Sequence, residues 1–180
     1  YPWGGVEQTA SRLLPLSVAY PLLATGDPNV RDRLRLIMQT SRLRLVQMAG
    51  PNAYFTWWGN EGADAFLTAY AYYADWHASK ALDISLPPGH WQRVLDLYAQ
   101  QAPDMPFLQR ALTLVFAQEM KLPVQSLVVG LVADMMAAPA GQNKNAPVAQ
   151  SLLMGDPDAP LAIAGARGLT AALAQQHNIV

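Results

Sequence analysis

The chain has 180 residues, with 12 Lys and Arg against 13 Asp and Glu, and a formal net charge of −1 supplies no electrostatic grip for nucleic acid. Hydrophobic residues make up 52% and charged residues 14%, enough apolar surface for a core and too little charge for a disordered chain. Cysteine is absent, which excludes disulfides, cysteine metal sites and thiol nucleophiles.

Apolar residues recur at spacings of three and four and alternating β-branched runs are missing, so the chain reads as all-α, a single domain over 1–180. The first helix is expected over 6–23, opened by Gly4 and Gly5, with Pro15 kinking or dividing it because proline cannot donate the interior hydrogen bond. Asp27 as cap and Pro28 in the first turn start a second helix, which Gly50 and Pro51 are expected to stop. At about 100° per residue, Val30, Leu34, Ile37, Met38, Leu45 and Met48 share one arc of it. Arg31, Arg35 and Arg42 border that arc on one side and Arg33 and Arg44 on the other, read as snorkelling side chains rather than an anion site. Leu36 and Leu43 lie roughly opposite, which suggests packing on two sides.

A turn-rich segment over 51–60 leads to a third helix expected over 61–80, with Asn60 as its cap. Pro87, Pro88 and Gly89 lead into a fourth ending near Gln101; Pro103 and Pro106 introduce a fifth carrying 107–120; Pro123 opens a sixth. The longest nearly unbroken apolar stretch, 124–136, falls in the sixth and is short of the roughly twenty residues that span a bilayer, so no membrane contact is expected of this domain. Gly141, Gln142, Asn143, Lys144 and Asn145 read as a mobile loop, and a seventh helix is expected over 160–176. Helices of this length with short proline- and glycine-marked links fit antiparallel hairpins stacked in an α/α array.

The opening string Tyr1-Pro2-Trp3-Gly4-Gly5-Val6-Glu7-Gln8-Thr9 resembles the thioester signature of the alpha-macroglobulin and complement family, Pro-aromatic-Gly-Cys-x-Glu-Gln, which begins the first helix of an α/α toroid. Pro2, Trp3, Gly4, Glu7 and Gln8 match, and Thr9-Ala10-Ser11-Arg12-Leu13-Leu14 is similar to the bacterial branch. The run Ala65-Phe66-Leu67-Thr68-Ala69-Tyr70, after Trp57-Trp58-Gly59, is a second resemblance. Where the family has its cysteine stands Gly5. In the motif, thiol and glutamine lie three positions apart at a helix start, so the sulfur can displace ammonia from the amide and leave a buried thioester. Without sulfur that bond cannot form, and Gln8 is expected to be an ordinary amide.

The resemblance implies a helical thioester-type domain, a partial or shortened toroid, within a larger periplasmic or secreted and often lipid-anchored endopeptidase inhibitor. Its partners would be the proteases trapped by the full-length protein and other domains of the same polypeptide. No cofactor is implied, and no catalysis is expected of this domain. The opening at Tyr1, without a leader, leads us to expect a piece of a longer chain, whose exposed helix faces meet the remainder.

Other chemistry is weaker. His77, His90 and His177 lack paired spacing for a metal and read as helix-surface or loop residues. Tyr54, Phe55, Trp57 and Trp58 beside Glu61 and Asp64 offer the alternative of a carbohydrate-active α/α toroid acting on cell-wall glycans, with either acid as proton donor. The simpler reading is a loop that buries its own aromatics at the helix ends, with Tyr54, Trp57 and Trp58 as its binding surface if it has one.

Overall fold

The computed structural model describes residues 5–57, 62–138 and 160–179, and every regular element among them is helical. The α-helices are α1 (Val6–Leu23), α2 (Pro28–Gln47), α3 (Ala65–Ala81), α4 (Pro88–Gln101), α5 (Phe107–Glu119), α6 (Gln125–Ala137) and α7 (Pro160–Gln176). Short 3-10 turns at Pro51–Ala53 and Ala102–Asp104 join some of them. The described chain divides into two compact units, 1–93 and 94–180, with the boundary inside α4.

In the first unit, α1 buries Val6, Ala10, Leu13, Ser17 and Tyr20, a spacing of three and four that lays one face against α3 and α2. The helix runs undivided through Pro15 and also Pro21, so Pro15 does not split it. Ser17 Oγ donates to Leu13 O at 2.7 Å beside that proline. α3 is buried nearly all round from Ala65 to Ser79, the pattern of a central helix covered by neighbours. Ser11 Oγ and Tyr70 OH, 2.9 Å apart, link α1 to α3.

Helix α2 starts as its sequence dictates: Asp27 Oδ1 accepts from the Asn29 amide at 2.8 Å with Pro28 in the first turn. Its end differs from expectation. Met48 is the C-cap and Gly50 has an extended φ of −80°, so no left-handed glycine stops the helix. Gly50 instead donates its N–H to Tyr54 O at 2.8 Å and closes the following turn. Of the expected inward arc, Met38 and Leu45 are buried, whereas Val30 and Ile37 are each 46% exposed. Leu36 and Leu43 are 62% and 59% exposed, so among the described residues α2 packs on one side.

The third helix begins four residues later than expected. Asp64, whose carboxylate accepts from the Leu67 amide at 2.7 Å, is its N-cap; Asn60 and Glu61 lie outside the described residues. The cap is chosen by tertiary contact, because Asp64 N donates to Phe55 O at 2.9 Å and fixes the loop at that turn. The fourth helix takes in Pro88, Gly89 and His90, which reads from the sequence as its lead-in.

In the second unit α5 packs on α6 and α7, and α6 on α7. Tyr98, Leu114, Val128, Leu131 and Leu173 are among its fully buried side chains. Arg110, although charged, is only 5% exposed at its side chain: Nη1 lies 2.7 Å from Asp134 Oδ2 and Nε donates to Tyr98 OH at 3.3 Å. Burial pulls the guanidinium pKa down, but the Tyr98 and Asp134 oxygens more than offset this and hold it above its ordinary value. Burial likewise pushes the Tyr98 phenol up. The residues 141–145 lie outside the described residues.

Candidate functional site

The start of α1 is the first place to look for chemistry. Gly5 is the N-cap with φ −81° and ψ −171°, and its carbonyl accepts from both the N–H and the Oγ1 of Thr9, each at 3.0 Å. Val6 turns into the core, Glu7 lies in the first turn where a carboxylate favours the positive helix end, and Gln8 is exposed. Pro2, Trp3 and Gly4 lie outside the described residues. Gly5 and Gln8 thus stand one turn apart at a helix start, without a sulfur between them and with the amide open to water.

The aromatic loop is the second. Phe55 is 5% exposed, and its N–H donates to Oγ1 of the fully buried Thr68 at 3.0 Å. Tyr72 OH donates to Ala53 O at 2.8 Å. Asn52 and Ala53 hold left-handed φ values of 64° and 60° to make the turn, a conformation that asparagine tolerates better than alanine. Tyr54 and Trp57 are half-buried, and Trp58 lies outside the described residues. The Asp64 carboxylate, one of the alternative's two candidate proton donors, receives the Leu67 and Phe66 amides and the Trp57 side chain; burial outweighs these bonds and raises its pKa above 3.8. These contacts are those of a helix cap and loop anchor.

A third cluster was not foreseen. Asp75 on α3 has a side chain only 7% exposed; Arg42 Nε from α2 lies 2.6 Å from its Oδ1 and His90 Nε2 from α4 lies 3.7 Å from its Oδ2. The Arg42 N–H is directed at Ser79 Oγ, 3.2 Å away, so the Asp75 contact is an ion pair rather than an aligned hydrogen bond. His90 packs edge-on against Tyr72 and Trp91, with ring centroids 5.1 and 4.7 Å away. Burial pushes the Tyr72 phenol up, tempered by Arg93. Beside the cluster is a cavity of about 60 Å³ lined by Leu45, Phe55, Ala71, Tyr72, Asp75 and His90 among others. Room on that scale suits a water or two, and a carboxylate already matched by a guanidinium is a clasp between helices rather than a free base. The signal in the sequence was Arg42 at the edge of the arc of α2 that holds Met38 and Leu45, and Asp75 inside the apolar run of α3.

The remaining histidines divide. His77 sits edge-on to Tyr73 and Trp76 within α3, and His177 Nε2 lies 2.6 Å from Gln118 Oε1, with Gln118 also bonded to Gln176. Among the described residues no three His, Cys, Asp or Glu converge as a metal site, and no helix is long and apolar enough to cross a membrane.

No protein-family model matches the chain, and no solved structure matches it. An alpha-2-macroglobulin from Ralstonia nicotianae is 41% identical over 185 residues, an alignment that takes in 98% of this chain and 12% of that protein. The chain therefore spans about an eighth of the length of the curated relative it matches, since 12% of that protein is covered. It is a homologue of one segment of a bacterial alpha-2-macroglobulin.

Proposed function

We propose that this chain is the helical, thioester-type region of an alpha-macroglobulin-like endopeptidase inhibitor that works without a thioester. The carrying observation is the start of α1: Gly5 caps the helix, Gln8 follows one turn later and is exposed, and the whole chain holds no cysteine. The 41% identity across 98% of the chain to an alpha-2-macroglobulin supports the setting. In this reading the seven helices are hairpins of an α/α toroid, and they contribute packing and a noncovalent protein-binding face to a protease trap. The trap resides in the periplasm, held at the inner membrane by a lipid elsewhere on the polypeptide.

The test uses the full-length protein mixed with a broad-specificity endopeptidase. Trapping is expected to protect a large protein substrate while a small peptide substrate is still cleaved, and boiling in detergent is expected to release every protease molecule unmodified. A detergent-stable conjugate through Gln8 refutes noncovalent action; unprotected large substrate refutes the trap.

A further inference from the structure

Among the described residues the outward face of α2 carries an unfilled seam. Leu36 and Leu43, 62% and 59% exposed, are seven residues apart, and Gln39 and the 50% exposed Val46 follow each by three. That is the spacing of a helix-pairing seam, on the side opposite the buried Met38 and Leu45. Its flanks are basic. α2 holds five arginines and a single acid, Asp32, and Arg33 and Arg35 occupy the positions next to the seam that set partner choice in paired helices. Arg42 is spent inward on Asp75, while Arg31 meets Asp32. Two copies apposed through this face would bring arginine rows together, so the charge disfavours self-pairing.

We infer that the α2 seam is the docking site for an amphipathic helix with an apolar stripe and acidic flanks, carried by the remainder of the longer polypeptide. The inference rests on the reading above that such a remainder exists; the curated relative has most of its length outside the matched 12%. The seam offers leucines to the stripe and guanidiniums to the flanking carboxylates. The basic flanks set the partner's orientation and identity, and the leucines supply the contact.

The test places a photoreactive benzoylphenylalanine at Leu43 in the full-length protein and maps the crosslinks by peptide mass spectrometry. An exposed position tolerates the substitution, and Leu36→benzoylphenylalanine is the second variant should the first fold poorly. Crosslinking within one polypeptide, to a helical stretch rich in Asp or Glu, is expected. Adding Arg33→Glu and Arg35→Glu is expected to cut its yield by about fivefold, on the scale of two rim charge pairs. A crosslink to a second copy, to another protein or to a basic stretch, or no crosslink at all, overturns the proposal. Protease protection measured on the same variants separates this outcome from failure of the inhibitor reading, since a trap can function with the seam filled otherwise.

Discussion

Arg42→Met is expected to destabilise the first unit more than Asp75→Asn, although both break the same pair. At 2.6 Å two unit charges attract by about 6 kcal/mol with an effective dielectric of 20, and the burial of both ions cancels much of this. What remains after a deletion is decided by the survivor. Asp75→Asn leaves a guanidinium that is 20% exposed and can reach water, a loss of about 2 kcal/mol, typical of a charged hydrogen bond. Arg42→Met leaves a carboxylate that is 7% exposed, with the His90 ring nitrogen 3.7 Å away, and about 3–5 kcal/mol is expected. Removing both charges with Arg42→Met and Asp75→Leu is expected to cost less than Arg42→Met alone. Urea unfolding followed by tryptophan fluorescence reads the first unit directly, because all five tryptophans of the sequence fall within residues 1–93, and it avoids assuming that both units melt together. A larger loss for Asp75→Asn, or a double variant as weak as Arg42→Met, refutes the claim that the carboxylate is the desolvated partner.

Burial raises the Asp64 pKa in the folded chain, so the folded state holds its proton more tightly than the unfolded state does. Stability from this group is therefore greatest below the ordinary value of 3.8 and falls as pH rises through the folded pKa. Asp64→Asn keeps the cap and is expected to abolish that slope with no loss at pH 7, whereas Asp64→Ala is expected to lose about 1 kcal/mol; urea titrations at several pH values check both. Thr68→Val keeps the shape of a fully buried side chain but removes the acceptor for the Phe55 N–H. A loss of about 1–3 kcal/mol is expected, with faster amide exchange at Phe55 as the local readout.

Much of the fold was legible because helix ends are written in local chemistry. Asp27 and Pro28 set the start of α2, and α1 and α7 have the expected bounds. The start of α3 was not, since Asn60 and Asp64 are both good caps four residues apart, and only the tie from Asp64 to Phe55 selects between them. Periodicity on α2 identified an arc but not its partner, so it foresaw Met38 and Leu45 inside without showing that Val30 and Ile37 stay outside. The Arg42, Asp75 and His90 cluster draws one residue from each of three helices, and no spacing along the chain encodes that meeting. The opening string is different in kind: its members are chemically mute without sulfur, and only resemblance to a reactive motif makes them noticeable.

Glycine at position 5 is not demanded by the backbone or by space. Its φ of −81° is open to any L-residue, and among the described residues no atom lies within 4 Å of where a Cβ would stand. Nor does it serve capping well, because a serine there could accept from a first-turn amide that glycine leaves without a side-chain partner. Gly5→Ser is therefore expected to gain a few tenths of a kcal/mol in thermal or urea unfolding. Gly5→Cys should fit equally well and present one thiol that titrates fully with a thiol reagent. Geometry would then allow the sulfur to face Gln8, yet the Gln8 side chain is exposed, and an acyl link formed there meets water rather than a dry pocket. No methylamine is expected at Gln8 of the Gly5→Cys variant. Labelling there, with release of a thiol that was blocked before the amine was added, would show that the pocket outlived the cysteine; a destabilised Gly5→Ser would show that glycine is structural after all.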